Sequence, residues 1–377
     1  MLLLAAGCVD QANQRSAVAA SSSAGVTEPP GTCRVEKVAT SSSEALFSDV
    51  VALAVDSNGR IYVADDDNPA ITVLSDSGTI IRTIGRDGHG PGEFQHIRNV
   101  QVLPGDSLLV FDMGLSRLTV FRPASDSVAY VINLAATARL SPNDVQAAPQ
   151  RRVFVLVDTE PLRPGDDPAS DRERNQVLHV AGWDGSLLRD SILVAPASRP
   201  LIARQGGRIG VAAPYAFGRP GIVRVSRSGR IYYGYGDSLR IDIYSLEGQR
   251  TGGFVVPYER DPVSDADLEA AIPAYGDFFR KAVQESAPDY WPAFKRFVVD
   301  DHGRLWMALI ADGQVTDRGA AAMPRIWTVM TEAGELVCRA NLEERTEVVR
   351  VQDGRLYGVV KDDVDVPRIV IYRIVHL

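Results

Sequence analysis

The chain has 377 residues, which allows two or three average domains or one large closed all-β structure. Hydrophobic residues make up 45% and charged residues 23%, an ordinary globular composition able to bury a large core. The formal net charge of −8 argues against a nucleic-acid partner, which requires a basic face. Only Lys37, Lys281, Lys295 and Lys361 are lysines, so the other cations are arginines. These are scattered along the sequence and read as compositional bias, with no sign of a clustered anion site.

Residues 1–10, MLLLAAGCVD, join a short apolar run to Ala-Ala-Gly-Cys. The segment resembles the lipobox of bacterial lipoprotein signals. That resemblance implies lipid attachment at Cys8 and a periplasmic or surface-exposed place in the cell envelope. The run lacks a basic segment, which a start codon placed too late would explain. Residues 9–32 are Ser/Ala-rich and aperiodic and are expected to be a disordered tether. No later stretch approaches ~18 consecutive apolar residues, so membrane contact is expected only through the lipid.

From residue 33 onward, short strands alternate with turn signals every ~8 to 12 residues. One pattern returns: an apolar strand, a polar turn often ending Gly-Arg, then a strand of apolar and aromatic residues. VVALAVDSNGRIYVAD (50–65) is the clearest copy. NVQVLPGDSLLVFD (99–112), DVQAAPQRRVFVLVD (144–158), GIVRVSRSGRIYYGYG (221–236), RFVVDDHGRLWMAL (296–309) and EVVRVQDGRLYGVV (347–360) follow it. Most copies are followed by two more strands, as in AITVLSDSGTIIRTIG (70–85). A four-stranded meander cannot bury both faces alone, and six arranged radially can. The fold class is therefore all-β, a six-bladed β-propeller spanning 33–377. The sixth copy lacks an outer strand, which CRVEKVA (33–39) can supply, leaving no open edge. That closure brings Cys33 beside blade six and toward Cys338 on the outer strand of blade five, making them a disulfide candidate.

The block IGRDGHGPGEFQHIRNVQVLPGDSLLVFD (84–112) resembles the NHL-repeat class of six-bladed propellers, which includes bacterial lipoproteins. The resemblance implies the fold and no particular activity. Its glycine-rich start lies between two strands and matches neither GxGxxG nor GxxxxGK[ST], so it is read as a corner between blades with Phe94 in the core. A metal clip from Asp87, His89 and Glu93 is the weaker reading. The recurrent Asp65, Asp112 and Asp158 are read as turn caps.

Long insertions at 158–175, 195–220, 257–292 and 311–324 all fall on one face, where binding residues are expected. The 257–292 insert, between blades four and five, is expected to be partly helical, capped by Ser264 and broken or kinked at Pro273. Leu268, Ile272, Tyr275, Phe279 and Val283 form a stripe suited to packing. Tyr290 and Trp291 are ligand-facing candidates. The entries to the inner strands add Arg98, Asn99, Asn143, Asp144, Lys295, Arg296 and Glu347 at the channel mouth, a mixed ring suited to a polar or zwitterionic ligand.

The expected function is a monomeric, lipid-anchored binding module for a peptide, glycan or protein loop, with no cofactor and no catalytic residues. The alternative follows from a resemblance to calcium-dependent lactonases and to lyases of related shape. It implies a calcium-dependent hydrolase or lyase with Ca2+ on Asn99, Asn143, Asp144 and Glu347. No GxSxG, HExxH or paired-cysteine motif is present.

Overall fold

The computed structural model describes residues 31–134, 142–159, 165, 174–205, 207–310, 324–343 and 346–377. Cys8, residues 9–30 of the expected tether and most of the 158–175 and 311–324 insertions lie outside them; Thr32, expected as the tether's end, instead pairs with Arg339 in a strand. The chain is a six-bladed β-propeller. The first strand, β1 (Thr32–Thr40), precedes the blades. Blade one is β2 (Val50–Val55), β3 (Ile61–Asp65), β4 (Asn68–Leu74) and β5 (Ile80–Ile84). Blade two is β6 (Ile97–Val102), β7 (Leu108–Asp112), β8 (Arg117–Phe121) and β9 (Val128–Asn133). Blade three is β10 (Pro142–Ala148), β11 (Arg152–Asp158), β12 (Asn175–Gly182) and β13 (Leu187–Pro196).

A separate hairpin follows, β14 (Leu201–Gln205) with β15 (Arg208–Ala213). Blade four is β16 (Gly221–Val225), β17 (Ile231–Tyr235), β18 (Arg240–Tyr244) and β19 (Arg250–Val255). Helices α1 (Asp265–Tyr275) and α2 (Arg280–Glu285) come next. Blade five is β20 (Phe294–Val299), β21 (Leu305–Leu309), β22 (Ile326–Met330) and β23 (Leu336–Asn341). Blade six is β24 (Glu347–Gln352), β25 (Arg355–Lys361) and β26 (Pro367–His376), completed by β1. The inner strands β2, β6, β10, β16, β20 and β24 each touch the next, and β24 returns to β2.

Second strands such as IYVAD, LLVFD and LWMAL are buried along their whole length. Blades cover them on both faces, so the sequence runs apolar without alternation. The outer strand IIRTI alternates, because one of its faces meets solvent. Trp306 and Trp327 fill the wall between blades five and six, and Phe94 and Phe121 the wall between blades one and two. Each buries a large apolar area, worth roughly 2–3 kcal/mol for a fully buried large side chain.

The recurrent Gly-Arg turns have a specific cause. Asp56 accepts bonds from the Asn58 and Arg60 backbone N–H groups, from Arg60 Nε at 2.6 Å and from the Tyr62 hydroxyl. Asp300 repeats this with His302, Arg304 and Trp306. Gly59 and Gly303 supply the positive φ, 78° and 82°, that these turns need. Asp65 and Asp112 cap the entry loops of their blades, accepting from Ser48 and Asp49 and from Gln95, His96 and Leu115. Asp158 is instead bound by Arg174 at 2.9 Å.

Ring closure is doubly secured. β1 pairs antiparallel with β26 and, through Thr32 and Cys33, parallel with β23 of blade five. Cys33 and Cys338 are joined as a disulfide with Cα atoms 5.3 Å apart.

The glycine-rich stretch at 84–94 is a corner. Phe94 is fully buried, and a Cβ at Gly85 would stand 2.4 Å from its ring. Glu93 is occupied by Arg86 and the Gly90 N–H, which holds its carboxyl below the usual range; the Gly90 bond is the larger cause. Asp87 accepts from Gln95, and Arg117 binds the His89 and Gly90 carbonyls. The two carboxylates of the proposed clip, Asp87 and Glu93, are thus engaged within the loop itself.

Candidate functional site

The insertions build a small cap with its own apolar core. Ile272, Phe279 and Val283 of the helical insert pack with Leu201, Phe217 and Trp291. Ser264 caps α1 in a capping box with Asp267. The helix does not break at Pro273; it runs to Tyr275 and stops at Gly276, where φ is 79°. The hairpin β14–β15 was not legible as such in the 195–220 insertion. It docks on α2, and the Tyr215 hydroxyl donates to the Val283 carbonyl at 3.1 Å.

Beneath the cap lies a cavity of about 990 Å³ that continues into the central channel. Loop residues Ala197–Pro200 and hairpin residues Ala212–Tyr215 form part of its wall. Arg98, Asn99, Asn143, Asp144 and Arg296 line it, as the inner-strand entries predict. Four other candidates, Lys295, Glu347, Tyr290 and Trp291, do not. Trp291 is buried in the cap core, its indole N–H directed at Asp267 and its ring beneath the Lys295 ammonium. Tyr290 sits on the outer surface beside Arg260. Glu347 is ion-paired with Arg296.

The channel wall shows an ordered division of labour. One register position of each inner strand faces the same second-strand position: Ala54 opposite Tyr62, Gln101 opposite Leu109, Gln146 opposite Phe154, Arg224 opposite Tyr232, Val298 opposite Trp306 and Arg350 opposite Tyr357. Gln101 and Gln146 act as clasps between blades. Gln101 donates to the Val145 carbonyl and accepts from the Ala147 N–H, both at 2.7 Å. Gln146 does the same with Val223, at 3.3 Å, and Val225, at 2.8 Å. The inner edge of each strand would otherwise present unpaired backbone groups to the channel.

At the same position blades four and six carry arginine. Arg224 donates to the Val223 carbonyl at 2.9 Å. Arg350 Nε donates to Gln352 Oε1 at 2.6 Å, and Arg227 Nη2 reaches the same oxygen at 3.2 Å. Burial and the neighbouring Arg224 press the Arg296 guanidinium down, to about 9. Burial and Arg227 press Arg350 down, to about 10. Burial also lowers Arg224.

Eight arginines line the cavity against four aspartates, in a chain whose net charge is −8. Eight of the scattered arginines thus meet at the channel, a local cluster that the linear sequence does not display.

The residues do not fit the calcium set. Asp144 and Glu347 stand on blades three and six, on opposite sides of the ring. Asp144 holds the Asn99 amide at 2.5 Å, and Glu347 holds Arg296. Among the described residues the one carboxylate–histidine group spaced for an ion is Asp300, Asp301 and His302, and its groups cap turns or bind the Asp353 N–H.

No curated protein matches the chain. Residues 40–145 match the DUF5128 family model, described as a 6-bladed beta-propeller. Among solved structures, the chain is similar to a Bacteroides fragilis protein described as exported, at 12% identity and a TM-score of 0.51, with 90% of this chain and 95% of that chain covered. It is also similar to a member of the DUF4221 family from Bacteroides vulgatus, at 12% identity and a TM-score of 0.54, with 91% and 99% covered. What these likenesses share with the chain is its architecture, the six-bladed β-propeller.

Proposed function

We propose that the chain is an extracytoplasmic binding module, lipid-anchored at Cys8, whose ligand sits in the central channel beneath the cap. The observation that carries this is the cavity of about 990 Å³ that runs along the central channel up to the cap. That volume suits a small molecule or the end of a peptide or glycan. Polar residues on inner strands of a rigid ring surround it, an arrangement that keeps a site preorganised. The Cys33–Cys338 disulfide supports an oxidising compartment. The hydrolase or lyase alternative is weakened by the channel, where three of its four donors are engaged, Asn99 with Asp144 and Glu347 with Arg296.

The test is retention of a ligand. The full chain with Cys8→Ser, and the same chain with Ala213→Trp to obstruct the channel beside the cap, are incubated with a small-molecule extract and washed. Bound compounds are then identified by mass spectrometry. A compound held by the first and lost by the second is the expected result. Identical retention by both refutes the cavity as the site. Elemental analysis of the same samples, with melting in calcium and in chelator, tests the metal alternative: stoichiometric calcium with melting lowered by chelator restores it.

A further inference from the structure

Resting on that reading of the channel as a ligand site, the geometry points to a class of ligand: the side of the channel built by blades four to six holds an oxyanion, a carboxylate or phosphate, among Arg224, Arg227, Arg296 and Arg350. Guanidinium groups offer five donors in a fork that matches such oxygens.

Three features support the assignment. First, these arginines lack carboxylates in proportion to their number. Arg224, Arg227 and Arg350 donate to neutral oxygens, and two of them share the single Oε1 of Gln352. Only Arg296 has an acidic partner, Glu347, and its Nε is buried with no partner. Second, among the described residues no lining aspartate is hydrogen-bonded to these arginines. Asp158 binds Arg174, Asp300 caps its turn, Asp144 is shared by Asn99 and Gln146, and Asp301 holds the Asp353 N–H and His302; Asp144 and Asp301 act on Arg224 and Arg350 only through space. Third, at the register position of Arg224 and Arg350 the opposite blades carry Ala54, Gln101 and Gln146, while Arg98 and Asp144 stand nearer the mouth on that side. At that depth the positive charge lies on one side of the channel. Like charges held together in a half-buried wall are costly without a counter-charge. Such tension is tolerated where a ligand relieves it.

The experiment is a melting series of the full chain with Cys8→Ser, using inorganic phosphate, succinate, a neutral disaccharide, and sodium chloride at matched ionic strength. Saturable stabilisation by phosphate or succinate beyond chloride is expected, and which of the two acts separates the phosphate source from the carboxylate source. Arg350→Met should weaken that response at least tenfold and, by relieving repulsion, raise melting in the absence of anion. Arg350→Lys should retain part of the response. A structural role would instead lower the melting temperature of Arg350→Met. Disaccharide binding with inert anions overturns the anion class and leaves the binding reading intact. Phosphate, succinate and disaccharide all no better than chloride overturn both.

Discussion

Gln146 shows how single side chains hold this ring. Its amide replaces a strand at the inner edge of blade four, with one donor and one acceptor bond to backbone. Gln146→Ala should cost about 1–2 kcal/mol in chemical denaturation, because two backbone groups lose their partners in a wall only partly open to water. Gln146→Glu should cost about as much or more, since a carboxylate cannot donate to the Val223 carbonyl. The same register position explains what was readable about the site and what was not. The copies VQVL and VQAA place glutamine where IVRVSRSGR and VVRVQDGR place arginine. Aligning the copies one step deeper than the strand entry exposes Arg224 and Arg350. Reading only the entries finds Arg98 and Arg296 and stops at the mouth. Arg227 is a different case. It lies in a turn, and nothing local tells that it crosses to Gln352 on another blade.

At the scale of elements, the blades were legible because a meander repeated six times leaves the same signature each time. The cap was not. Its hairpin and helices occur once, and their partners come from two insertions some 60 residues apart in sequence. The stripe Ile272, Phe279 and Val283 was visible at helical spacing, and it packs on the cap rather than on a ligand. Trp291 looked like a ligand aromatic because it stands beside Tyr290 in a polar loop. Its burial follows from contact with Phe217, ring centroids 4.6 Å apart, a residue from the other insertion. Since this core is distinct from those between blades, Trp291→Ala should act on the cap alone. Loss of a buried tryptophan costs about 3–5 kcal/mol. Hydrogen exchange should accelerate in α1, α2 and β14, with protection of β3, β7 and β21 unchanged. Equal loss in both regions would show that cap and ring unfold as one unit.

For the whole molecule, closure is the decisive event. Each blade buries its faces only when the neighbours are present, so an open ring exposes two apolar walls. The clasp of β1 on β26 and the disulfide across 305 residues prevent this. Cys33→Ser or Cys338→Ser should lower stability by about 2–5 kcal/mol. The reduced native protein should match the substituted ones in a denaturant melt under reducing conditions, and a difference between them would mean that the serine itself perturbs the packing. Closure by the first strand was legible because the last copy is one strand short. The disulfide then followed from where that strand had to lie.

The position of the disulfide also decides how the molecule bears mechanical load. A pull through residues 1–30 enters the described chain at Gly31, two positions before Cys33. The covalent link passes that force to Cys338 on blade five before it reaches the hydrogen bonds between β1 and β26. With the bond intact, such a pull is shunted into the outer wall of the ring. With the bond reduced, the same tension peels β1 from its first residue, and the ring opens like a zip at the seam where it was closed.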